Sequence, residues 1–187
     1  MPFYAYKALS ELRKNVKSLP HYREKVDKLL FRLANYLQPS LVLELGTGSG
    51  LNTCYLAAGN HKMEVFSLTD NIFPEVGNLF SNFKHVSYRE GRVADAFHIW
   101  ETRQSSKVMV HIAHTPYYEE AFERLLPLAD DKTCFVIGLP YADEAKKKWW
   151  KKVIADNRTG VTFDLYDIGL VFFDKRRVKE HRVVNFL

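Results

Sequence analysis

The chain has 187 residues, 47% of them apolar, and a formal net charge of +5 at pH 7. That length suits one domain with a substantial core and excludes two comfortable ones, and so small a basic excess fits many soluble enzymes without naming an anionic partner. No apolar run approaches the ~18 residues of a membrane span, so no membrane partner is expected. Met1-Pro-Phe-Tyr-Ala-Tyr-Lys7 lacks a continuous apolar region with a cleavage site, and the expected compartment is the cytoplasm.

In chain order, Leu9, Leu12, Val16 and Leu19 repeat as a short amphipathic helix ending at Pro20. A second helix runs through Val26, Leu29, Leu30, Leu33, Ala34 and Leu37, and Gln38-Pro39-Ser40 closes it. Leu41 to Leu45 is the apolar run of a buried parallel strand; it leads through Gly46-Thr-Gly-Ser-Gly50 into a helix over Leu51 to Ala58. Glu64 to Asp70 reads as a second strand, His85 to Arg89 as a third, Lys107 to Ile112 as a fourth and Thr133 to Leu139 as a fifth. Helices over Tyr118 to Leu126 and Tyr141 to Asn157 flank the fifth, and the alternation argues a parallel sheet covered on both faces. Val161 to Phe173 then reads as two strands joined by a turn around Asp167-Ile168-Gly169. Cys54 and Cys134 fall inside apolar elements, the setting of reduced core thiols.

Three glycines let the turn after the first strand close against a ligand, and the following helix points its free N–H groups the same way. Their spacing rejects several familiar loops. A dinucleotide fingerprint needs a glycine where Leu51 stands, and a P-loop needs Gly-Lys-Ser/Thr where the next lysine is Lys62. A nucleophile elbow needs glycine two residues before Ser49, where Thr47 stands. Asp70 lies at the end of the second strand, about 20 residues beyond the turn, where a doubly wound fold places the acid that accepts from ribose hydroxyls; Thr69 is the one-residue alternative.

Glu44-x-Gly46-x-Gly48-x-Gly50 directly after a strand resembles motif I of the class I S-adenosylmethionine-dependent methyltransferases, and the stretch from Leu30 onward is similar to their small O-methyltransferase group. The resemblance implies a three-layer Rossmann-like α/β fold with a seven-stranded, mostly parallel sheet, ordered 3-2-1-4-5-7-6 and closed by an antiparallel strand. One domain over 1–187 would comprise N-terminal helices in 1–38, a core in 41–173 and a basic tail in 174–187. S-adenosylmethionine is the implied cofactor. Gly46, Thr47, Gly48, Ser49 and Gly50 would line its site, Glu44 would hold its amino-acid end or support the turn, and Asp70 would hold its ribose. Gly91 and Arg92 would lie beside the adenine, with His111 a further contact.

The same resemblance locates the departures. His111-Ile112-Ala113-His114 carries alanine where that group has aspartate, and Gly138-Leu139-Pro140 replaces an acidic pair. Hard cations want carboxylate oxygens, so no metal is expected. His114 is the remaining candidate for a general base. The expected function is methyl transfer to a small-molecule acceptor, through oxygen by preference. Two rivals stay open: a cofactor-binding regulatory protein without catalysis, and an RNA methyltransferase suggested by the basic tail and by Lys146-Lys-Lys-Trp-Trp-Lys-Lys152. In that run Ala142, Ala145, Trp149 and Val153 form the expected apolar stripe, while Lys147, Lys148, Lys151 and Lys152 face away. A homodimer through the tail is an open alternative.

Overall fold

The computed structural model describes residues 19–105 and 107–185. The helix expected over Leu9 to Leu19 therefore lies almost entirely outside the described residues. Helix α1 spans Glu24–Leu37, strand β1 Leu41–Leu45, helix α2 Leu51–Gly59 and strand β2 Glu64–Thr69. Then come α3, Pro74–Leu79, β3, Val86–Glu90, α4, Val93–Arg103, and β4, Val108–Ile112. The remainder is α5, Tyr118–Leu125, β5, Cys134–Gly138, α6, Glu144–Ala155, β6, Thr162–Asp164, β7, Ile168–Phe172, and β8, His181–Val183.

The sheet runs β3-β2-β1-β4-β5-β7-β6-β8. Its first five strands are parallel, and β7 pairs antiparallel with both β5 and β6. The order expected for seven strands is present, with an eighth added: β8 joins the outer edge of β6 in parallel register. Part of what reads as a basic tail is thus sheet. The hairpin turn lies at Leu165–Asp167 and not at Ile168–Gly169, because Tyr166 takes the left-handed conformation and Gly169 is needed inside β7. A Cβ on Gly169 would stand 2.5 Å from the Trp150 ring, which packs flat on that strand.

Alternation along β1 divides the core. Leu41, Leu43 and Leu45 face the layer containing α4, α5 and α6, where Ile99, Phe122 and Trp150 are buried. Val42 faces α1, against Val26, Leu30 and Ala34. Helix α1 presents these residues at helical spacing, has Glu24 and Asp27 in its first turn to complement the dipole, and ends on Gln38 with φ 48°. It crosses α2 closely at Gly59, where a Cβ would come within 2.8 Å of the Ala34 side chain. Helix α6 begins later than expected because Asp143 caps it, its side chain accepting from the Lys146 N–H at 2.7 Å. Ala142 and Ala145 are exposed, and the buried stripe begins instead at Lys146.

Candidate active site

The carboxyl ends of β1, β2, β3 and β4 converge on one cleft of about 230 Å³, lined by Gly46, Gly48, Thr69, Asp70, Gly91, Arg92 and His114. Leu45, Leu68, Phe73 and Val93 supply apolar wall, and Tyr117 stands at its rim. The turn needs glycine for two reasons. Gly46 and Gly48 have φ of 87° and 56°, in the left-handed region that side chains avoid. A Cβ on Gly46 would also lie 2.4 Å from the His114 backbone, and one on Gly48 would lie 2.5 Å from the Pro20 carbonyl and 2.7 Å from the His114 ring.

Asp70 accepts from Arg92 Nε at 3.2 Å, and the Arg92 guanidinium lies 5.6 Å over the Tyr117 ring. Both partners are solvent-accessible, so the pair contributes at most about 1 kcal/mol and is readily exchanged for contacts to a ligand. Asp95, at the start of α4, is occupied in capping: it accepts from the Arg92 N–H at 2.8 Å.

The other motif residues turn away from the cleft. Thr47 and Ser49 are buried, Thr47 with its hydroxyl 2.7 Å from Ser67 Oγ and Ser49 with its N–H donating to Pro20 O at 2.8 Å. Gly50 caps α2, with Val76 and Phe80 against its Cα. Glu44 and His111 are fully buried and face one another across the β1–β4 register. The Glu44 carboxylate accepts from Asn52 Nδ2 at 2.6 Å, Thr53 Oγ1 at 2.5 Å, the Ser67 hydroxyl and His111 Nδ1 at 3.0 Å. Of the two roles expected for Glu44, this geometry performs the support of the turn: it ties β1, β2, β4 and the first turn of α2 together.

His111 meets Glu44 through Nδ1, and its Nε2 lies 3.2 Å from the Tyr22 hydroxyl. Burial pushes the Tyr22 phenol well above its ordinary pKa, and the negative charges of Glu44 and Asp27 push the same way. Tyr22 was not a candidate in the sequence, yet it decides the site. A Cβ on Gly138 would fall 1.9 Å from the Tyr22 oxygen, and Ala113 packs in the same apolar cluster as Tyr22. The two positions that lack the expected acids are therefore filled against by a phenol. Among the described residues no group of three or more His, Cys, Asp or Glu side chains is arranged for a metal.

His114 stands between the glycine turn and Tyr22, its ring centroid 4.6 Å from that of Tyr22 and its N–H donating to Gly46 O at 3.1 Å. Burial lowers its pKa to about 4, and His111, Lys146 and His21 add to the effect while Glu44 opposes it. Its Nε2 is buried and has no hydrogen-bond partner among the described residues.

Lys146 is the second residue that sequence reasoning missed. It is only 6% exposed, with Nζ 5.0 Å over the Tyr118 ring, and it forms no ion pair among the described residues. Burial lowers its pKa to about 8, partly offset by the negative charge of Asp143. The signal was present: positions 146, 149, 150 and 153 share one helical face, with Trp149, Trp150 and Val153 all buried.

A doubly wound parallel sheet that ends in an antiparallel pair, with a glycine turn at the strands' carboxyl edge, defines the class I methyltransferase architecture. No protein-family model matches the sequence, and no curated protein matches it. Solved structures do. The O-methyltransferase TomG from Streptomyces achromogenes, involved in tomaymycin synthesis and solved in complex with SAM, superposes with a TM-score of 0.68 at 15% identity, over 93% of this chain and 91% of that one. The O-methyltransferase from Bacillus cereus in complex with SAH gives 0.65 at 17% identity, covering 92% of each chain. A methyltransferase from Geobacter sulfurreducens gives 0.69 at 12% identity, over 92% and 91%. The chain has the fold of these methyltransferases.

Proposed function

We propose that the protein binds S-adenosylmethionine in the β1–β4 cleft and transfers its methyl group to a small-molecule oxygen acceptor without a carboxylate-bound metal. The observation that carries this reading is the convergence of Gly46, Gly48, Asp70, Gly91, Arg92 and His114 on one cleft in a methyltransferase fold. The donors present fit the cofactor's parts. The Asp70 carboxylate suits two ribose hydroxyls, Leu68 and Val93 beside Gly91 give an apolar slot for a purine, and the His114 Nε2, which has no partner among the described residues, suits a polar group. Bound there, S-adenosylmethionine supplies an electrophilic methyl group; the chain's part is to orient the acceptor and exclude water.

His114 is neutral at pH 7, yet a pKa near 4 makes it a weak proton acceptor, so it serves as a hydrogen-bonding wall rather than a strong base. The basic tail gives little support to an RNA substrate, since neighbouring carboxylates offset part of its positive charge. Arg176 pairs with Asp131 and Asp174, Arg177 with Asp174 and Arg182 with Glu180, while Lys179 donates to Asp156 O and to Thr159. Calorimetric titration of S-adenosylmethionine and S-adenosylhomocysteine tests the reading. Binding to wild type, weakened about tenfold in Asp70→Asn, is the expected result; no binding of either ligand to wild type refutes it. Binding without turnover on a broad panel of hydroxyl acceptors favours the non-catalytic regulator, the reading that the filled positions at Ala113 and Gly138 motivate.

A further inference from the structure

The cleft is open at one end and closed at the other by the chain itself. With a purine beside Gly91 after β3 and a ribose on Asp70 after β2, the strand order sends the ligand's 5′ chain toward β1 and β4, over Gly48 and the N-terminus of α2. A carboxylate at the end of that chain needs N–H donors there. The Ser49 N–H is already donating to Pro20 O at 2.8 Å. A Cβ on Gly48 would lie 2.5 Å from the same oxygen and 2.7 Å from the His114 ring, so not even one carbon atom fits over the turn. Two residues further on, the Tyr22 hydroxyl lies 3.2 Å from His111 Nε2, and its ring centroid is 4.6 Å from that of His114. What Leu19 and Pro20 leave of the cleft measures about 230 Å³, less than the ~300–1,000 Å³ of sites for drug-sized ligands.

We propose that Leu19–Tyr22 is an autoinhibitory strap over the amino-acid half of the cofactor site: the closed cleft takes an adenine nucleoside, and S-adenosylmethionine binds in full only by displacing the strap. The inference rests on the cofactor reading above. Residues 19–22 belong to no helix or strand, and Arg23, the residue before α1, has extended backbone and no side-chain cap. Lys25 holds the first turn of α1 to the β6–β7 turn, its Nζ 3.1 Å from Asp167. Rotation about Arg23 therefore lifts the strap and leaves α1 in place. Opening clears the space over Gly48 and frees the Ser49 N–H for a carboxylate, a charge-assisted bond stronger than the one it makes to the neutral Pro20 carbonyl. A ligand without the amino-acid chain gains neither. The contacts that differ between the closed and open states all lie at the amino-acid end, and only a ligand with that end shifts the equilibrium.

The test compares S-adenosylhomocysteine with 5′-methylthioadenosine, which has the same nucleoside and sulfur but no amino-acid chain, on the full-length protein. Calorimetry reads the affinities and surface plasmon resonance the association rates. In wild type, S-adenosylhomocysteine is expected to bind within about tenfold of methylthioadenosine, and its association rate should level off with concentration because opening precedes binding. Pro20→Gly frees the backbone of the displaced strap, and Tyr22→Phe removes its anchoring hydroxyl. Each should tighten S-adenosylhomocysteine about two- to fivefold and leave methylthioadenosine within about twofold, which also shows that the variant has kept its cleft. A wild type that binds S-adenosylhomocysteine more than about tenfold tighter than methylthioadenosine overturns the proposal, and this comparison depends on no variant folding. Unchanged S-adenosylhomocysteine affinity in both variants, or equal tightening of both ligands, overturns it too. Failure of both ligands to bind wild type refutes the cofactor reading itself, and the inference with it.

Discussion

Replacing Glu44 separates structural support from ligand contact at the motif's first residue. Its carboxylate, with no exposure, accepts from Asn52, Thr53, Ser67 and His111. In Glu44→Leu the hydroxyls of Thr53 and Ser67 can turn to each other and to Thr47, which lies 2.7 Å from Ser67 Oγ. Asn52 Nδ2 and His111 Nδ1 have no such substitute, and a buried donor without an acceptor costs about 1–3 kcal/mol. Two of them give a loss of about 2–6 kcal/mol, from a total stability of roughly 5–15 kcal/mol. Glu44→Gln keeps Oε1 for Asn52 and His111 and presents an amide N–H₂ to two hydroxyls able to accept. Only the charge-assisted share is lost, about 1–2 kcal/mol. Urea unfolding followed by circular dichroism at pH 7 measures both, and at this chain length each kcal/mol also moves the midpoint of thermal unfolding by ~2–4 °C. Glu44→Leu within about 1 kcal/mol of wild type would refute the argument. Because the carboxylate does not reach the cleft, Glu44→Gln should bind S-adenosylhomocysteine as wild type does; a tenfold loss of affinity in a stable Gln variant would put Glu44 in contact with the ligand.

His114 titrates at about 4 when folded, below its ordinary value of 6.5, so between those values the unfolded chain binds a proton that the folded chain refuses. Its stabilising contribution is complete above pH 6.5 and is lost as pH falls toward 4. His114→Gln should flatten that part of the stability profile by up to about 3 kcal/mol, and a profile parallel to wild type would count against the buried neutral imidazole. Lys146 titrates at about 8 against 10.5 unfolded, so the penalty on its buried charge is full below pH 8 and fades as pH rises to 10.5. Lys146→Met should therefore be more stable than wild type by about 1–3 kcal/mol at pH 7 and by less near pH 10, as read by urea midpoints at the two pH values. Gly138→Ala drives a methyl group onto the Tyr22 hydroxyl and should cost about 1–3 kcal/mol, while Tyr22→Phe in the same chain removes the oxygen 1.9 Å away and should recover part of the loss. Additive effects in that double-mutant cycle would show that the two residues do not touch.

The cofactor half of the molecule was readable because its signals are local. An apolar strand, three glycines at fixed spacing and an acid at the next strand's end occupy 30 consecutive positions, 41 to 70, and the hairpin of β6 and β7 is likewise contiguous. What escaped depends on register and on distant packing. Glu44 meets His111 only because β1 and β4 pair with 44 opposite 111, a number no propensity contains. Strand β8 has three exposed residues and no alternating pattern, and it exists because β6 offers an open edge. Tyr22 precedes α1 in an undistinguished stretch and acquires its place only when α1 packs over β4 and β5. Lys146 was legible in part: its spacing with Trp149, Trp150 and Val153 assigns it to the buried face, and its charge is what argues against putting it there.

Electrostatics at the acceptor end follow from the same substitutions. Where carboxylates would have gathered a cation, the chain has Ala113 and Gly138, and Tyr22 fills the space beside them with a phenol whose ionisation burial suppresses. Glu44, a deep carboxylate nearby, is consumed by four donors. Burial holds His114 neutral at pH 7 beside them. Without those acids, these two positions offer a hard cation no carboxylate oxygen.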